Sequence, residues 1–289
     1  MSDFSLRQLQ EKSLEIALYF KSFCKKHGLL FYLCGGCCIG ALRHKGFIPW
    51  DDDVDVFMPR KDYEKLKKLW SEYADTEKYS CVFSDQNLTD GNLFVTIRDN
   101  NTTAIKPYQT NMDISHGVAL DVLPLDGWPN SRIKRKFQVF WALIYSLYCA
   151  QTVPSNHGKT VALCGKIALL IVPSKKLRYK IWKFAERKMT KYDIKDCDYI
   201  TELCSGPYYM QKQYPRSAFD KALWVKFEDT EMPIPQGYDT YLKTAFGDYM
   251  TLPPEEKQKP HHDAVFLDLN NSYKKYKGVY YLIERDDPK

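Results

Sequence analysis

Four aspartates crowd into five positions of this chain: Asp51, Asp52, Asp53 and Asp55. Val54 and Val56 interleave with the last two. In an extended strand Asp53 and Asp55 therefore share one face, while the valines turn toward a core. Carboxylates held side by side repel unless a cation lies between them. An all-oxygen set suits Mg²⁺ or Mn²⁺ rather than Zn²⁺. Mg²⁺ held by few carboxylates completes its shell with water and substrate phosphates, which points to a substrate containing a diphosphate. Any fold for this chain has to bury one face of that strand and leave the acidic face reachable.

The flanking residues give the strand its neighbours. Leu6, Leu9, Leu14, Ile16, Ala17, Phe20 and Phe23 predict a helix over 4–28, closed by Gly28 after Lys25, Lys26 and His27. Residues 29–33 read as a short buried strand, and Gly35-Gly36 as a tight turn into a helix near 39–44. Such a turn lets backbone N–H groups approach a phosphate, helped by the helix N-terminus that follows. A strand is predicted over 54–58 and an amphipathic helix over 60–73, opened by Arg60 and Asp62. Further strands are expected over 79–83, 93–98, 102–105 and 118–123. Helices are expected over 131–151, 159–172 and 174–192, divided by Pro154 and Pro173, with irregular loops beyond. The order predicts an α+β fold: a mixed β-sheet core flanked by helices, with a helix-rich second half. Residues 1–130 would form the catalytic core with its N-terminal helix. Residues 131–289 would be a helical, loop-rich region completing the active site and its acceptor side.

Composition narrows the partners. Lys+Arg is 42 against Asp+Glu 36, a net +6 over 289 residues. That favours an anionic substrate or an acidic membrane surface and gives little reason to expect nucleic acid. Nine irregularly spaced cysteines predict free thiols and a cytoplasmic setting. Cys34 and Cys37 match Cys-x-x-Cys, but no second pair stands at zinc-site spacing. No signal-peptide pattern opens the chain. The apolar stretches 137–150 and 161–173 fall short of the roughly 18 residues of a spanning helix. They read as buried helices, with peripheral contact to the inner membrane face as the alternative. Aromatics make up 15%, with 21 Tyr and 6 Trp, enough to line a site with rings.

Strand, Gly-Gly turn, helix and then Asp-x-Asp on the next strand is the arrangement of the nucleotidyltransferase fold. The full run is more specific: Gly35, Gly36, Gly40, Arg43, His44, Gly46, Ile48, Pro49, Trp50, Asp51, Asp52, Asp53 and Asp55. Together they resemble the signature of the LicD family, which includes the fukutin-related enzymes. Gly117, Asp121, Pro124, Asp126 and Gly127 resemble its second strand motif. Tyr241, Gly247, Asp248, Tyr249, Pro253, Pro254 and His261 resemble its C-terminal signature. Departures are local: Cys37-Cys38 replace small or aliphatic residues, and Phe246 stands where Tyr is usual.

The resemblance implies transfer of a phosphorylated alcohol, most often phosphocholine from CDP-choline. The acceptor would be a hydroxyl of a cell-surface glycan, a teichoic-acid precursor or a lipid-linked oligosaccharide. It makes Asp53 and Asp55 metal ligands and catalytic residues, with Asp121 the third carboxylate. Asp121 sits in an apolar strand, where an unpaired charge would be costly. Arg43 is a candidate clamp for the diphosphate. Trp50 either stacks on a base or quaternary ammonium or packs structurally. Asp51 and Asp52 either orient ligands or cap the turn, and His261 would reach a phosphate or the acceptor. Tyr108, Trp128, Tyr208, Tyr209, Tyr241 and Tyr249 are available to cage a choline cation. Competing readings keep the fold with another donor (CDP-ethanolamine, CDP-ribitol, CDP-glycerol or a nucleotide-sugar), transfer NMP from an NTP, or drop catalysis for a glycan- or membrane-surface adaptor.

Overall fold

The computed structural model describes residues 4–151, 159–260 and 264–283. Helix α1 (Leu6–His27) opens with a capping box in which Ser5 and Gln8 exchange hydrogen bonds. It ends at Gly28, whose φ of +63° is the left-handed cap that glycine supplies without strain. A two-residue strand β1 (Tyr32–Leu33) leads directly into α2 (Gly35–Arg43). The Gly-Gly pair is thus the first turn of the helix rather than a separate turn before it. Strand β2 (Val54–Pro59) carries the alternating valines, and α3 (Arg60–Tyr73) follows without a loop.

Strands β3 (Tyr79–Val82), β4 (Val95–Asp99) and β5 (Thr103–Ile105) precede the long β6 (Ala119–Trp128). Then come α4 (Arg132–Ala150), α5 (Lys159–Ile171) and α6 (Lys175–Met189), close to the predicted spans. The stretch read as irregular loops holds more structure than expected: β7 (Tyr199–Thr201), β8 (Tyr214–Pro215), a hairpin of β9 (Ala222–Phe227) and β10 (Thr230–Pro235), α7 (Tyr238–Phe246) and β11 (Phe266–Asp268). Pro233 and Pro235 within β10, and the exposed Leu223 and Trp224 of β9, hide the alternation on which a strand assignment rests.

The fold is α+β. Its main sheet runs β1-β2-β6-β4-β3, with β7 added beside the far end of β6 and β8 beside β7. Strands β2 and β6 are parallel; β1–β2, β4–β6 and β3–β4 are antiparallel. The larger core packs α1, α2, α3 and α7 against the sheet through residues such as Phe20, Leu33, Phe57, Leu66 and Leu242. A second core lies among α4, α5 and α6, around Tyr145, Trp182 and Met189.

Candidate active site

The parallel pairing of β2 with β6 sets Asp55 directly opposite Asp121. Residues in register on neighbouring strands share a face, so two carboxylates 66 positions apart stand side by side above the sheet. Val54, Val56 and Val122 face the other way into the core. Strand β2 begins at Val54, so Asp53 stands at its mouth rather than within it. One oxygen from each of Asp51, Asp52 and Asp53 lies within 4.8 Å of the others. Among the described residues this run is the group of three carboxylates close enough to share a cation, with the Asp55–Asp121 pair beside it.

The electrostatics record the crowding. Burial holds the Asp55 carboxyl well above the usual carboxylate range, and Asp53, Asp121 and Asp51 push in the same direction. Lys106 is the counterweight, its Nζ 3.9 Å from Asp121 Oδ2. Asp121 in turn raises the Lys106 ammonium above its ordinary value. Asp121 Oδ1 is buried and has no hydrogen-bond partner among the described residues. A buried, orphaned carboxylate oxygen in an all-oxygen set is the donor chemistry that a hard divalent cation satisfies.

Helix α2 presents its N-terminus to this acidic group. Gly35 has φ +52°, and its N–H donates to the Tyr241 hydroxyl at 3.0 Å. A Cβ on Gly36 would fall 2.3 Å from Asp51 Oδ2, so the close approach Gly36 permits is made here by the Asp51 carboxylate. The positive end of the helix favours that contact. Cys34, Cys37 and Cys38 are free and buried, and burial pushes their thiols up in pKa, away from thiolate chemistry.

The loop between α2 and β2 is pinned from three sides. Gly40 lacks a Cβ that would strike Gly46 O at 2.4 Å. Glu228 accepts from Phe47 N–H at 3.0 Å and from Arg7 at 2.7 Å. The buried Gln10 of α1 donates to Ile48 O at 3.2 Å and Asp51 O at 2.8 Å. Trp50 is half-buried and edge-on to His44, ring centroids 6.2 Å apart. Asp52 belongs to the aspartate run itself.

Arg43 stands in the last turn of α2. Its Nη1 donates to Tyr249 O at 3.0 Å and Thr251 O at 3.3 Å, and its Nε to His44 at 2.9 Å. It thus ties α2 to the segment after α7. Arg60 and Asp62 open α3, as expected, and both are structural. Arg60 forks onto the buried Asp126 at 2.8 and 2.6 Å, and Asp62 accepts from Leu30 N–H. His261 and His262 lie outside the described residues.

Two charged groups near the site escape sequence reasoning. Lys106 follows β5 with nothing local to mark it. Glu202, 4% exposed at the end of β7, accepts from the Tyr214 hydroxyl, and burial pushes its carboxyl up to about 7. Among the candidate cage rings, Trp128 lies under the Arg135 guanidinium at 3.7 Å, and the Tyr249 hydroxyl donates to Asp239. Tyr108 donates to Asn92, while Tyr208 and Tyr209 stand edge to face at 5.1 Å, with Tyr241 packed in the core.

A family model described as LicD/FKTN/FKRP, nucleotidyltransferase domain, matches residues 28–138, which include α2, β2 and the acidic part of β6. Over 279 residues the chain is 32% identical to the lipopolysaccharide cholinephosphotransferase LicD of Haemophilus influenzae, an alignment covering 91% of this chain and 97% of that protein. It is also 24% identical over 161 residues to mannosyltransferase regulator 4 of Saccharomyces cerevisiae, covering 51% of this chain and 13% of the yeast protein. An uncharacterized protein of Rickettsia prowazekii is 25% identical over 79 residues, 26% of this chain and 30% of its own length. With the aspartate run, the Asp55–Asp121 pair and a near full-length relative in agreement, the chain belongs to the LicD family.

Proposed function

We propose that this protein is a phosphocholine transferase. It moves phosphocholine from CDP-choline to a hydroxyl of lipopolysaccharide or a related surface glycan. The observation that carries the reading is the register pairing of Asp55 with Asp121, whose buried Oδ1 has no hydrogen-bond partner among the described residues. The near full-length similarity to a lipopolysaccharide cholinephosphotransferase supports the substrate class. Asp53, Asp55 and Asp121 would hold Mg²⁺, or Mn²⁺ in its place. A divalent cation bound there supplies neutralising charge to the diphosphate.

The acceptor hydroxyl attacks the choline-bearing phosphorus in line. A new P–O bond forms to the acceptor as the P–O bond to CMP breaks, and CMP leaves. Asp121 is the candidate recipient of the hydroxyl proton. Lys106 balances the negative charge gathered on Asp121.

Incubation with CDP-choline and lipopolysaccharide should release CMP, stop with a chelator and resume with Mg²⁺. Asp55→Asn and Asp121→Asn should each lower kcat by about a thousandfold, the scale of losing a principal charge-stabilising group. Near-normal turnover in either variant would sink the assignment. Preference for CDP-ethanolamine, CDP-ribitol or CDP-glycerol would reassign the donor. Pyrophosphate release from an NTP would make the protein a nucleotidyltransferase, and absence of Mg²⁺-dependent nucleotide binding would revive the adaptor reading.

A further inference from the structure

The net charge of +6 conceals a strong polarity along the chain. Residues 132–191 hold 14 of the 42 Lys+Arg but only one of the 36 Asp+Glu, Glu186, which leaves 28 basic against 35 acidic residues elsewhere. That stretch is the α4, α5 and α6 unit, packed inward around Ala142, Tyr145, Trp182 and Ala185. Its inner contacts are well made. Tyr148 donates to Ala168 O at 3.1 Å, and Arg178 donates to Val172 O and Leu169 O at 2.7 Å.

Outward, the same helices show large apolar side chains. On α4, Ile133, Phe137 and Phe140 are 70%, 61% and 51% exposed and fall on one stripe of the helix. On α5, Ile167, Leu170 and Ile171 form a second exposed stripe. Phe184 of α6 joins the first, since Trp141 stands edge-on to Phe140 at 5.1 Å and to Phe184 at 5.3 Å. Cations border this surface, with Lys188 Nζ 5.0 Å and the Arg187 guanidinium 5.9 Å from the centre of the Phe184 ring.

We propose that α4, α5 and α6 form a docking surface for an anionic lipid bilayer. The apolar stripes enter the boundary between headgroups and acyl chains, and exposed side chains such as Lys134, Lys136, Lys175 and Lys176 meet lipid phosphates. Lysine and arginine suit that position because their stems lie along apolar surface while their charges reach the headgroups. A second copy of the chain would set two strongly cationic faces against each other. Nucleic acid would leave the apolar stripes in water. No helix among the described residues is long and apolar enough to cross a membrane, so the unit lies on the bilayer.

Co-sedimentation of the full chain with vesicles tests the proposal without recourse to the transfer reaction. The protein should pellet with equal parts phosphatidylcholine and phosphatidylglycerol, stay in solution with phosphatidylcholine alone, and be released by salt. Phe137→Ser with Phe140→Ser should weaken binding at least about tenfold, as should Leu170→Ser with Ile171→Ser. Lys175→Glu with Lys176→Glu should do the same with the stripes intact. Circular dichroism of each variant should match the wild type, since all six side chains are exposed. Wild-type protein that ignores anionic vesicles at low salt overturns the proposal, as do variants that all bind like the wild type. Dimerisation through this face, or retention of nucleic acid, without vesicle binding would overturn it equally.

Discussion

Gly36 and Gly40 sit one helical turn apart in α2 and impose opposite tests. A methyl at Gly40 would strike the Gly46 carbonyl oxygen at 2.4 Å and the Ile48 nitrogen at 3.1 Å, both backbone atoms that cannot step aside. Alanine gains about 1 kcal/mol in helix propensity, but overpacking costs about 1–3 kcal/mol. Gly40→Ala should therefore be net destabilising in chemical denaturation. For a methyl at Gly36 the nearest atoms are those at the end of the Asp51 side chain, which can rotate away. Gly36→Ala should melt like the wild type yet lose turnover, because the carboxylate it displaces belongs to the aspartate run. Equal stability loss in both variants would contradict this division. The aspartates themselves were readable from sequence, because spacing within six residues carries the argument. Lys106 and Glu202 were not, since each acquires its meaning from a partner brought up by the fold: Asp121 for one, Tyr214 for the other.

At the level of elements, α1 does more than cover the sheet. Gln10, 4% exposed, reaches across 41 positions to hold Asp51 O. Gln10→Leu would remove the bonds to Asp51 O and Ile48 O, at about 0.5–1.5 kcal/mol each. It should also loosen the loop that aims Asp51 and Asp52. Turnover should fall by more than the stability loss explains, and a variant with reduced stability but full kcat would refute the role. Strand β2 and helix α3 were legible because alternation and amphipathicity are local. The last residues of β6 were hidden because Pro124, Asp126 and Gly127 interrupt a strand pattern. Tertiary contacts account for two of them. The buried Asp126 answers Arg60, and a Cβ on Gly127 would lie 2.6 Å from Tyr192 O. Likewise the partners of Arg43, the carbonyls of Tyr249 and Thr251, lie 206 and 208 positions away and are supplied by the fold alone.

Across the whole molecule, stability and assembly order are both tied to the second half of the chain. Glu202 is protonated up to about pH 7 in the folded protein, against an ordinary value of 4.5. Between those values the folded chain keeps a proton that the unfolded chain has released. Its contribution to stability is therefore greatest below 4.5, declines as pH rises, and levels off above 7. Glu202→Gln removes that decline, so its melting temperature relative to the wild type should climb from about pH 5 to above pH 7. A constant difference would argue against the buried acid. The links from α2 to Tyr241, Tyr249 and Thr251 have a further consequence in time. Synthesis delivers the aspartates first and these partners nearly two hundred residues later, roughly ten to forty seconds at ordinary translation rates. For that interval the aspartates of residues 51–55 stand beside a helix α2 whose bonds to Tyr241, Tyr249 and Thr251 have not yet formed. The first turn and the last turn of α2 therefore gain these anchors only once the segment beyond residue 240 has left the ribosome.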